Sequence, residues 1–298
     1  MGRASASARN VLRFPGQNLQ ESRRFTAVIK VLCLVRDCLK NNVVVTNRDI
    51  YYRDVVLFES QRKANSIVDS VCRMLNVDRV SLNVVAAAKG LVHGNLKLCT
   101  ASGDVVHIST LDGPVLIPSA HDLEFARICD EDTKFVLIVE KEAVFNELCN
   151  NVANAVLITG KGYPDIATRR LVSCLSRSHP QIPFLAAVDS DPHGIRILGV
   201  YRFGSNRTPN HNHNLICPEL RHIGVSLFDY EQGWVEYNEQ DYRTAFSLLK
   251  TDWIQLPEML DCRREIHRGL FLGKKAEMNV ISNSSSLSTY INHKTNHL

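Results

Sequence analysis

Long apolar runs, paired cysteine motifs and a secretory leader are all missing from this sequence. No apolar run approaches the ~20 residues that a membrane-spanning helix requires, and the opening stretch MGRASASARN lacks the apolar core of a signal peptide. The nine cysteines include no C-x-x-C pair, which argues against a zinc ribbon, and their odd number argues against a disulfide framework. We therefore expect a soluble intracellular protein whose thiols are reduced and mostly buried.

The sequence gives no sign of an ATP-binding loop and only a weak sign of a histidine metal site. No G-x-x-x-x-G-K-[ST] motif occurs, so a function that needs ATP would have to take it from another chain. His211 and His213 stand close together, but the Asn-rich loop around them supplies no further strong ligand, and we do not expect a metal there.

The charge of the chain is unevenly placed. The 298 residues are 45% hydrophobic, enough for roughly two domains of ~150 residues. Residues 1–53 hold ten Lys and Arg against three Asp and Glu, a net charge of +7, which leaves −3 for the remainder. This asymmetry indicates a polyanion-binding face beside a carboxylate-containing one, and a solvated basic surface is the plain alternative.

The first part of the chain has the order of a winged helix-turn-helix. Apolar spacing predicts a helix over 21–39 and a second helix capped by Thr46 or Asn47. A third helix is predicted over 64–77, with one apolar face formed by Ile67, Val71, Met74 and Leu75. Strands are predicted for 81–90 and for 95–109, where a turn at ASGD closes a hairpin. Three helices followed by a hairpin form a module that often lays a helix in a DNA groove, although many small domains share this order.

The pattern changes after about residue 130. Short continuous apolar runs at 134–140, 154–160 and 184–191 are separated by helical segments, and such runs are typical of strands buried on both faces. Strands that alternate with helices predict a parallel α/β sheet, whose functional groups lie at the carboxyl ends of its strands. The Ser- and Asn-rich tail from Asn279 is expected to be partly disordered.

Two of these strand ends carry carboxylates. Glu140 closes the first run, and Asp189 and Asp191 close the third, at a spacing that turns both to the same side of an extended chain. Three carboxylates at one sheet edge make a hard-oxygen site suited to Mg²⁺. Each acid taken alone is more often solvated, but the basic turn GKG at 160–162 closes the remaining run and suits a nearby phosphate backbone.

Two adjacent tyrosines in RDIYYRD are candidates for a nucleophile. Arg48 precedes Tyr52 by one helical turn, where a guanidinium could orient a phosphate and stabilise transition-state charge. Tyr51 instead shares an apolar stripe with Val55 and Phe58 that would face the core. This favours Tyr52 only modestly, because the apolar Val56 also lies one turn beyond Tyr52. Taken alone, a tyrosine pair beside an arginine more often serves packing than catalysis.

Seven phrases together resemble one known family, the A subunits of DNA topoisomerase VI, and above all its meiotic branch of double-strand-break transesterases known as sporulation-eleven proteins. They span roughly residues 10 to 280 and read TNRDIYYRDVVLFESQ, AAAKGLVHGNL, KFVLIVEKEAVF, ITGKGYPDIATRRLV, VDSDPHGIRILGVYRFGS, CPELRHIG and GLFLGKKAEMN.

The resemblance implies a role for each candidate residue. The second tyrosine of the IYY phrase is the family's nucleophile, which implies that Tyr52 attacks the DNA backbone, with Arg48 as its helper. The family's Mg²⁺ ligands fall on Glu140, Asp189 and Asp191. We expect further contacts with the DNA from residues at loop or helix-start positions, namely Lys89, Lys161, Tyr163 and Arg169.

The resemblance also implies a domain plan. We expect a short basic segment at 1–20, a winged-helix (CAP-like) domain with the catalytic tyrosine at 21–125, a Toprim α/β domain with C-terminal elements at 130–280, and a polar tail at 281–298. The expected partners are double-stranded DNA, a second copy that shares its active sites, meiotic accessory proteins and a topoisomerase VI B-like subunit. The expected location is the nucleus, on chromosomes, away from membranes.

The implied activity is Mg²⁺-dependent cleavage of both DNA strands, with 5′ phosphotyrosyl links, to initiate meiotic recombination. The sequence hardly distinguishes this activity from that of a somatic type IIB topoisomerase, which also reseals the break. A non-catalytic DNA-binding scaffold has no need of Tyr52, Arg48 and the three acids together. A Toprim nuclease that activates water has no use for the tyrosine helix.

Overall fold

A computed structural model describes residues 12–85, 87–100, 103–119, 123–204, 214–229, 232–279, 281 and 287–296. The chain divides into two compact units, residues 1–87 and 88–298. Within the described residues, no helix is both long and apolar enough to cross a membrane. His211 and His213 lie outside the described residues.

The first unit is built mainly from helices. A short parallel pair of strands, β1 and β2, closes it, with Val45 opposite Val84. The elements are α1 (Leu19–Lys40), β1 (Val45–Thr46), α2 (Asn47–Tyr52), α3 (Val55–Phe58), α4 (Gln61–Leu75) and β2 (Val84–Val85). The three predicted helices are therefore confirmed. The helix that carries the tyrosines ends at Tyr52, and the residues after it form the separate short helix α3.

Two predictions for this unit are wrong in detail. The strand expected over 81–90 is reduced to the two residues of β2, because Val80–Leu82 form a 3-10 turn and Asn83 has a φ of +55°. The buried face of α4 carries Ala64, Val68 and Val71, whereas Met74 and Leu75, expected on the core face, are exposed.

The second unit contains a six-stranded sheet in the order β11, β10, β8, β9, β3, β6. The four strands from β11 to β9 run parallel, and β3 pairs antiparallel with both β9 and β6. Their bounds are β3 (Leu91–His93), β6 (Val115–Leu116), β8 (Phe135–Val139), β9 (Ala155–Thr159), β10 (Phe184–Ala187) and β11 (Arg221–Gly224). The predicted parallel α/β sheet is confirmed at all three apolar runs.

Two smaller sheets accompany it. β4 is the central strand of an antiparallel trio with β5 and β7, which confirms the predicted pairing of strands within 95–109. Ala101 and Ser102 of the expected turn lie outside the described residues. β12 pairs antiparallel with β13. Their bounds are β4 (Leu96–Thr100), β5 (Val105–Ile108), β7 (Leu123–Ile128), β12 (Val235–Glu236) and β13 (Lys274–Lys275).

Helices cover both faces of the parallel sheet, so alternate side chains of each strand enter two different cores. Val136 and Ile138 of β8 belong to one core, and Leu137 and Val139 belong to the other. The helices are α5 (Glu142–Asn151), α6 (Ile166–Ser178), α7 (Pro192–Phe203), α8 (Glu239–Leu249), α9 (Leu260–Leu272) and α10 (Leu287–Thr295).

The C-terminal stretch differs from its expected disorder at residues 287–295. These residues form α10, because Leu287 and Ile291 are buried in the core that also contains α5. Residues 282–286, 297 and 298 lie outside the described residues.

The nine cysteines are free, and their burial is mixed. Four thiols are buried and three are half-buried, whereas Cys33 and Cys129 are exposed. The winged-helix assignment and the expected domain bounds at 20, 125–130 and 280 stay predictions.

Candidate active site

The tyrosine segment begins with a complete capping box. The Thr46 hydroxyl accepts from the N–H of Asp49 at 3.1 Å, and the Asp49 carboxylate accepts from the N–H of Thr46 at 2.8 Å. The helix that follows is only six residues long, and Ile50 fixes it to the core with 1% exposure. Asp54 then caps α3 through the N–H of Leu57 at 3.0 Å. The two tyrosines therefore lie between two helix caps.

The two tyrosines have different environments. Tyr51 packs against the core of the first unit, whereas Tyr52 is 63% exposed. Their rings are 5.3 Å apart. Arg48 is exposed and lies one turn before Tyr52. The expected packing of Tyr51 is confirmed, although Val55 of the same stripe is exposed.

The three acids lie at the carboxyl edge of the parallel sheet in the second unit. Glu140 directly follows β8, and the segment Asp189–Asp191 follows β10, the neighbour of β8 on one side. On the other side β9 leads into the turn 160–162, whose Gly162 N–H donates to the Glu140 carbonyl at 2.9 Å. The topology thus brings together the three segments that the sequence predicts at this edge.

A backbone N–H group donates to each of the three carboxylates. Glu140 Oε2 accepts from the Asp189 N–H at 3.0 Å, and Asp189 Oδ1 accepts from the Met278 N–H at 2.9 Å. Asp191 caps α7, since its Oδ1 accepts from the Gly194 N–H at 2.6 Å.

The electrostatics of this edge show a shortage of positive charge. Burial and the neighbouring Asp189 and Asp191 charges raise the pKa of Glu140 well above its usual range, against the N–H of Asp189 and the Lys141 ammonium. Burial also raises the pKa of Asp191. Groups of this kind gain stability from a bound cation, which would favour their ionised forms.

A Mg²⁺ ion fits the chemistry of these donors. All three side chains offer carboxylate oxygens, the ligand type that Mg²⁺ prefers. In the arrangement seen here, however, no three His, Cys, Asp or Glu side chains of the described residues already form a group that could hold an ion. The Asp189 carboxylate is engaged by Lys141 instead, so the ion would have to compete with an internal ion pair.

Lys141 and Gly194 complete the site, and sequence reasoning did not single out either. Lys141 Nζ lies 2.8 Å from Asp189 Oδ2 and 2.9 Å from Glu277 Oε2. A Cβ at Gly194 would meet the Asp189 carbonyl at 2.3 Å and Glu140 Oε2 at 3.1 Å. Only glycine therefore lets α7 begin this close to both acids. Their positions in the phrases VEKE and DSDPHG were the available signal.

Three of the predicted DNA contacts meet at the turn after β9. Lys89 Nζ donates to the Lys161 carbonyl at 3.1 Å, and the Lys89 N–H donates to Asp165, the cap of α6, at 2.8 Å. Lys161 itself pairs with Glu142 at 2.9 Å, and Tyr163 is 42% exposed. The turn needs unusual backbone, with φ of +51° at Lys161 and +85° at Gly162.

Arg169 does not fit the expected role as a contact to the DNA backbone. It lies inside α6 with 3% exposure, and its Nε donates to the Leu215 carbonyl at 3.2 Å. Its buried Nη2 has no hydrogen-bond partner among the described residues. Since α6 begins at Ile166, position 169 lies on the face of the helix that is turned towards the core.

Comparison with family models assigns both units. Residues 135–295 match the Toprim domain of the topoisomerase 6 A-subunit/Spo11 family, and residues 23–84 match the type IIB DNA topoisomerase model.

Individual relatives agree with these models. The human meiotic recombination protein SPO11 is 35% identical over 72% of this chain, and the A subunit of DNA topoisomerase 6 from Arabidopsis thaliana is 34% identical over 81%. Meiotic recombination protein rec12 of Schizosaccharomyces pombe is 32% identical over 85% of this chain and 72% of its own length. The chain spans 54% of the human relative and 58% of the plant relative. Since one family model covers more than half of the chain and these relatives are 32–35% identical over 72–85% of it, the chain belongs to the topoisomerase 6 A-subunit/Spo11 family.

Proposed function

We propose that this chain is a Mg²⁺-dependent, tyrosine-mediated transesterase that breaks both strands of DNA to initiate meiotic recombination. The observation that carries the proposal is that, in a member of this family, Tyr52 is 63% exposed one helical turn after Arg48, whereas Tyr51 is half-buried against the core. The acids at the sheet edge of the second unit support the same chemistry.

Tyr52 would act as the nucleophile. Its Oη forms a bond to phosphorus while the bond from phosphorus to the 3′ oxygen breaks. The phenol loses its proton and the departing 3′ oxygen gains one, so the products are a 5′ phosphotyrosyl end and a 3′ hydroxyl. One phosphodiester replaces another, and cleavage itself therefore needs no ATP.

The other residues position the DNA and balance its charge. Arg48 donates to the oxygens of the scissile phosphate, and its charge opposes the charge that develops there. Glu140, Asp189 and Asp191 would hold a Mg²⁺ ion, which supplies Lewis-acid stabilisation of phosphate charge when it is bound. Lys89 and Lys161, which meet at the turn after β9, contact the DNA backbone, and Tyr163 packs against a sugar or base near the cut.

The proposed assembly follows the family plan. Two copies act together on duplex DNA, with Tyr52 of one protomer working at the acids of the other. The complex is completed by meiotic accessory proteins and by a topoisomerase VI B-like subunit. The proposed location is the nucleus, on chromosomes.

A covalent-complex assay tests the proposal. The full chain with its candidate partners is incubated with duplex DNA, and protein-linked 5′ ends are counted in Mg²⁺ and in a chelator. Tyr51→Phe is the matched control because it removes a neighbouring hydroxyl from the same helix. We expect adducts from the native chain and from Tyr51→Phe, and none from Tyr52→Phe. Adducts that persist in Tyr52→Phe would sink the proposal, and free 5′ phosphates would indicate a metal-dependent nuclease.

A second function has specific support. The plant topoisomerase 6 protein is nearly as similar to this chain as the human meiotic protein is, at 34% against 35% identity. The chain would then serve a somatic topoisomerase that reseals its breaks. Loss of the gene separates the two, because a meiotic enzyme affects meiosis alone and a somatic topoisomerase affects vegetative growth.

A further inference from the structure

A buried carboxylate on α9 lies behind the two aspartates. Glu265 is 6% exposed. Its Oε2 accepts from the Ser190 hydroxyl at 2.8 Å and from the Leu227 N–H at 3.0 Å. Its Oε1 accepts from the Ser226 hydroxyl at 3.0 Å and pairs with Arg268. Four donors therefore satisfy the two oxygens of one carboxylate.

Ser190 connects this carboxylate to the candidate metal site, because it is the residue between Asp189 and Asp191. Its N–H and carbonyl both bond to Ala276, at 2.9 and 3.3 Å, so the segment is held as a short antiparallel bridge. Side chains alternate along an extended segment, so the direction of the Ser190 side chain sets the opposite direction for both aspartates. The hydrogen bond from the Ser190 hydroxyl to Glu265 therefore fixes the direction of both aspartate side chains.

We propose that Glu265 is a positioning residue that acts through Ser190 to aim Asp189 and Asp191 at a shared Mg²⁺ ion. The inference rests on the proposed function, and it adds a residue of α9 that lies 75 positions beyond the serine it holds. A carboxylate suits this place because each of its oxygens faces one group that can only donate, the Leu227 N–H on one side and Arg268 on the other. A glutamine would turn its N–H₂ group towards one of these two donors.

Two serines on the same carboxylate provide a matched pair of variants. Ser190→Ala removes the hydroxyl that leads to the aspartates, and Ser226→Ala removes a hydroxyl of similar hydrogen-bond length that leads elsewhere. Mg²⁺ binding to the full chain is measured by calorimetry. Amide hydrogen exchange of Ala276 and Met278 reports the order of the segment, since these amides bond to Ser190 and Asp189.

We expect Ser190→Ala and Glu265→Gln to weaken Mg²⁺ binding by about five-fold and to speed exchange at both amides by a similar factor, as the loss of one hydrogen bond implies. Ser226→Ala should leave both quantities within about two-fold of the native values. Ser190→Ala carries the test if Glu265→Gln does not fold.

The outcomes separate this inference from the proposed function. If the native chain binds Mg²⁺ and Ser190→Ala matches Ser226→Ala in both readouts, the positioning role is overturned and the metal site stands. If exchange responds as expected and the native chain binds no Mg²⁺, the aim of the aspartates depends on Glu265, and the metal-dependent part of the proposed function fails.

Discussion

Tyr51 and Tyr52 show how one helical step changes what a side chain can do. Successive residues of a helix point about 100° apart, so a helix whose Ile50 is buried places one neighbouring tyrosine against the core and the next one in solvent. An exposed phenol can reach a substrate, and a packed one contributes to stability. The two residues are chemically alike, and only their places on α2 separate these roles.

We expect Tyr51→Ala to lower the free energy of unfolding of the first unit by about 2 kcal/mol, because it removes a ring that packs on the core. Tyr52→Ala should change it by no more than about 0.5 kcal/mol, since its ring is exposed. Urea-dependent hydrogen exchange of the α4 amides measures both, because α4 packs on the same core. Equal losses in the two variants would contradict the different environments of the rings.

At this scale the sequence predicts the acids better than their partners. Glu140, Asp189 and Asp191 follow the ends of apolar runs, which is a local signal in the sequence. Because the carboxyl ends of parallel strands lie along one edge of the sheet, these three residues lie close together. Lys141 could not be matched to Glu277 in advance, because 136 residues separate the two. Arg169 was misplaced for the same reason, since the carbonyl that accepts its hydrogen bond lies 46 residues away.

Among the elements, α2 depends most on its first residues. A helix of six residues is too short to be stable alone, so its cap and its packing must hold it. Thr46 therefore supports the residues that present Tyr52, although it lies six positions before it.

Thr46→Ala should cost about 1 kcal/mol and speed hydrogen exchange in α2 by about five-fold, because it breaks the capping box. The control is Ser60→Ala, which removes the cap of α4 at the N–H of Lys63. That variant should destabilise the chain to a similar extent while exchange in α2 stays near its native rate. Native exchange in α2 of Thr46→Ala would show that packing alone holds the tyrosines.

The last helix carries a pH-sensitive anchor. Asp229 accepts from the Tyr290 hydroxyl at 2.6 Å and from the Ser226 N–H at 2.9 Å, and it pairs with Lys294 at 3.0 Å. Burial raises the pKa of Asp229, but these three donors outweigh burial and hold the pKa below its usual value. Ionised Asp229 therefore stabilises the docking of α10.

A lowered pKa fixes the sign of the pH dependence. The contribution of Asp229 is complete above its unfolded pKa of about 4 and is lost as the pH falls through the lower folded pKa. At pH 7 we expect Asp229→Asn to speed exchange of the α10 amides by an amount equivalent to about 1–2 kcal/mol. The difference from the native chain should shrink as the pH falls below about 4, and continue to shrink through the lower folded pKa. A difference that stays constant over this range would exclude this anchor.

Elements with continuous apolar runs are the ones that sequence predicts well. β8, β9 and β10 are buried on both faces, and short continuous apolar runs between turns are typical of such strands. The expected strand at 81–90 failed because Asn83 takes a left-handed conformation, which apolar pattern does not report. The face of α4 was misjudged because Met74 and Leu75 lie near its end, where the core no longer covers them.

For the whole molecule, the division into two units follows the division of charge. Residues 1–87 hold fourteen Lys and Arg against seven Asp and Glu, whereas residues 88–298 are net −3. The first unit carries Tyr52 and Arg48, and the second carries the acids. A basic unit that holds the nucleophile suits a polyanionic substrate.

Mixing two inactive variants tests whether active sites are shared between copies. In a dimer of Tyr52→Phe with Glu140→Gln, shared sites would leave one site with both native residues and the other with neither. We therefore expect single-strand nicks with protein-linked 5′ ends from the mixture and no cleavage from either variant alone. If each copy used its own tyrosine and acids, both sites would stay defective and the mixture would be inactive.

Lys141 bears on whether the acidic sheet edge needs a metal ion in order to fold. Its ammonium lies between Asp189 and Glu277, so the chain itself supplies part of the counter-charge for this acidic sheet edge. This edge of the sheet can therefore fold without a bound ion. In small zinc domains the metal is part of the folding reaction, whereas a Mg²⁺ ion held by the proposed ligands would reach a structure that is already folded. Under the proposed function, withholding Mg²⁺ would stop cleavage without unfolding the protein.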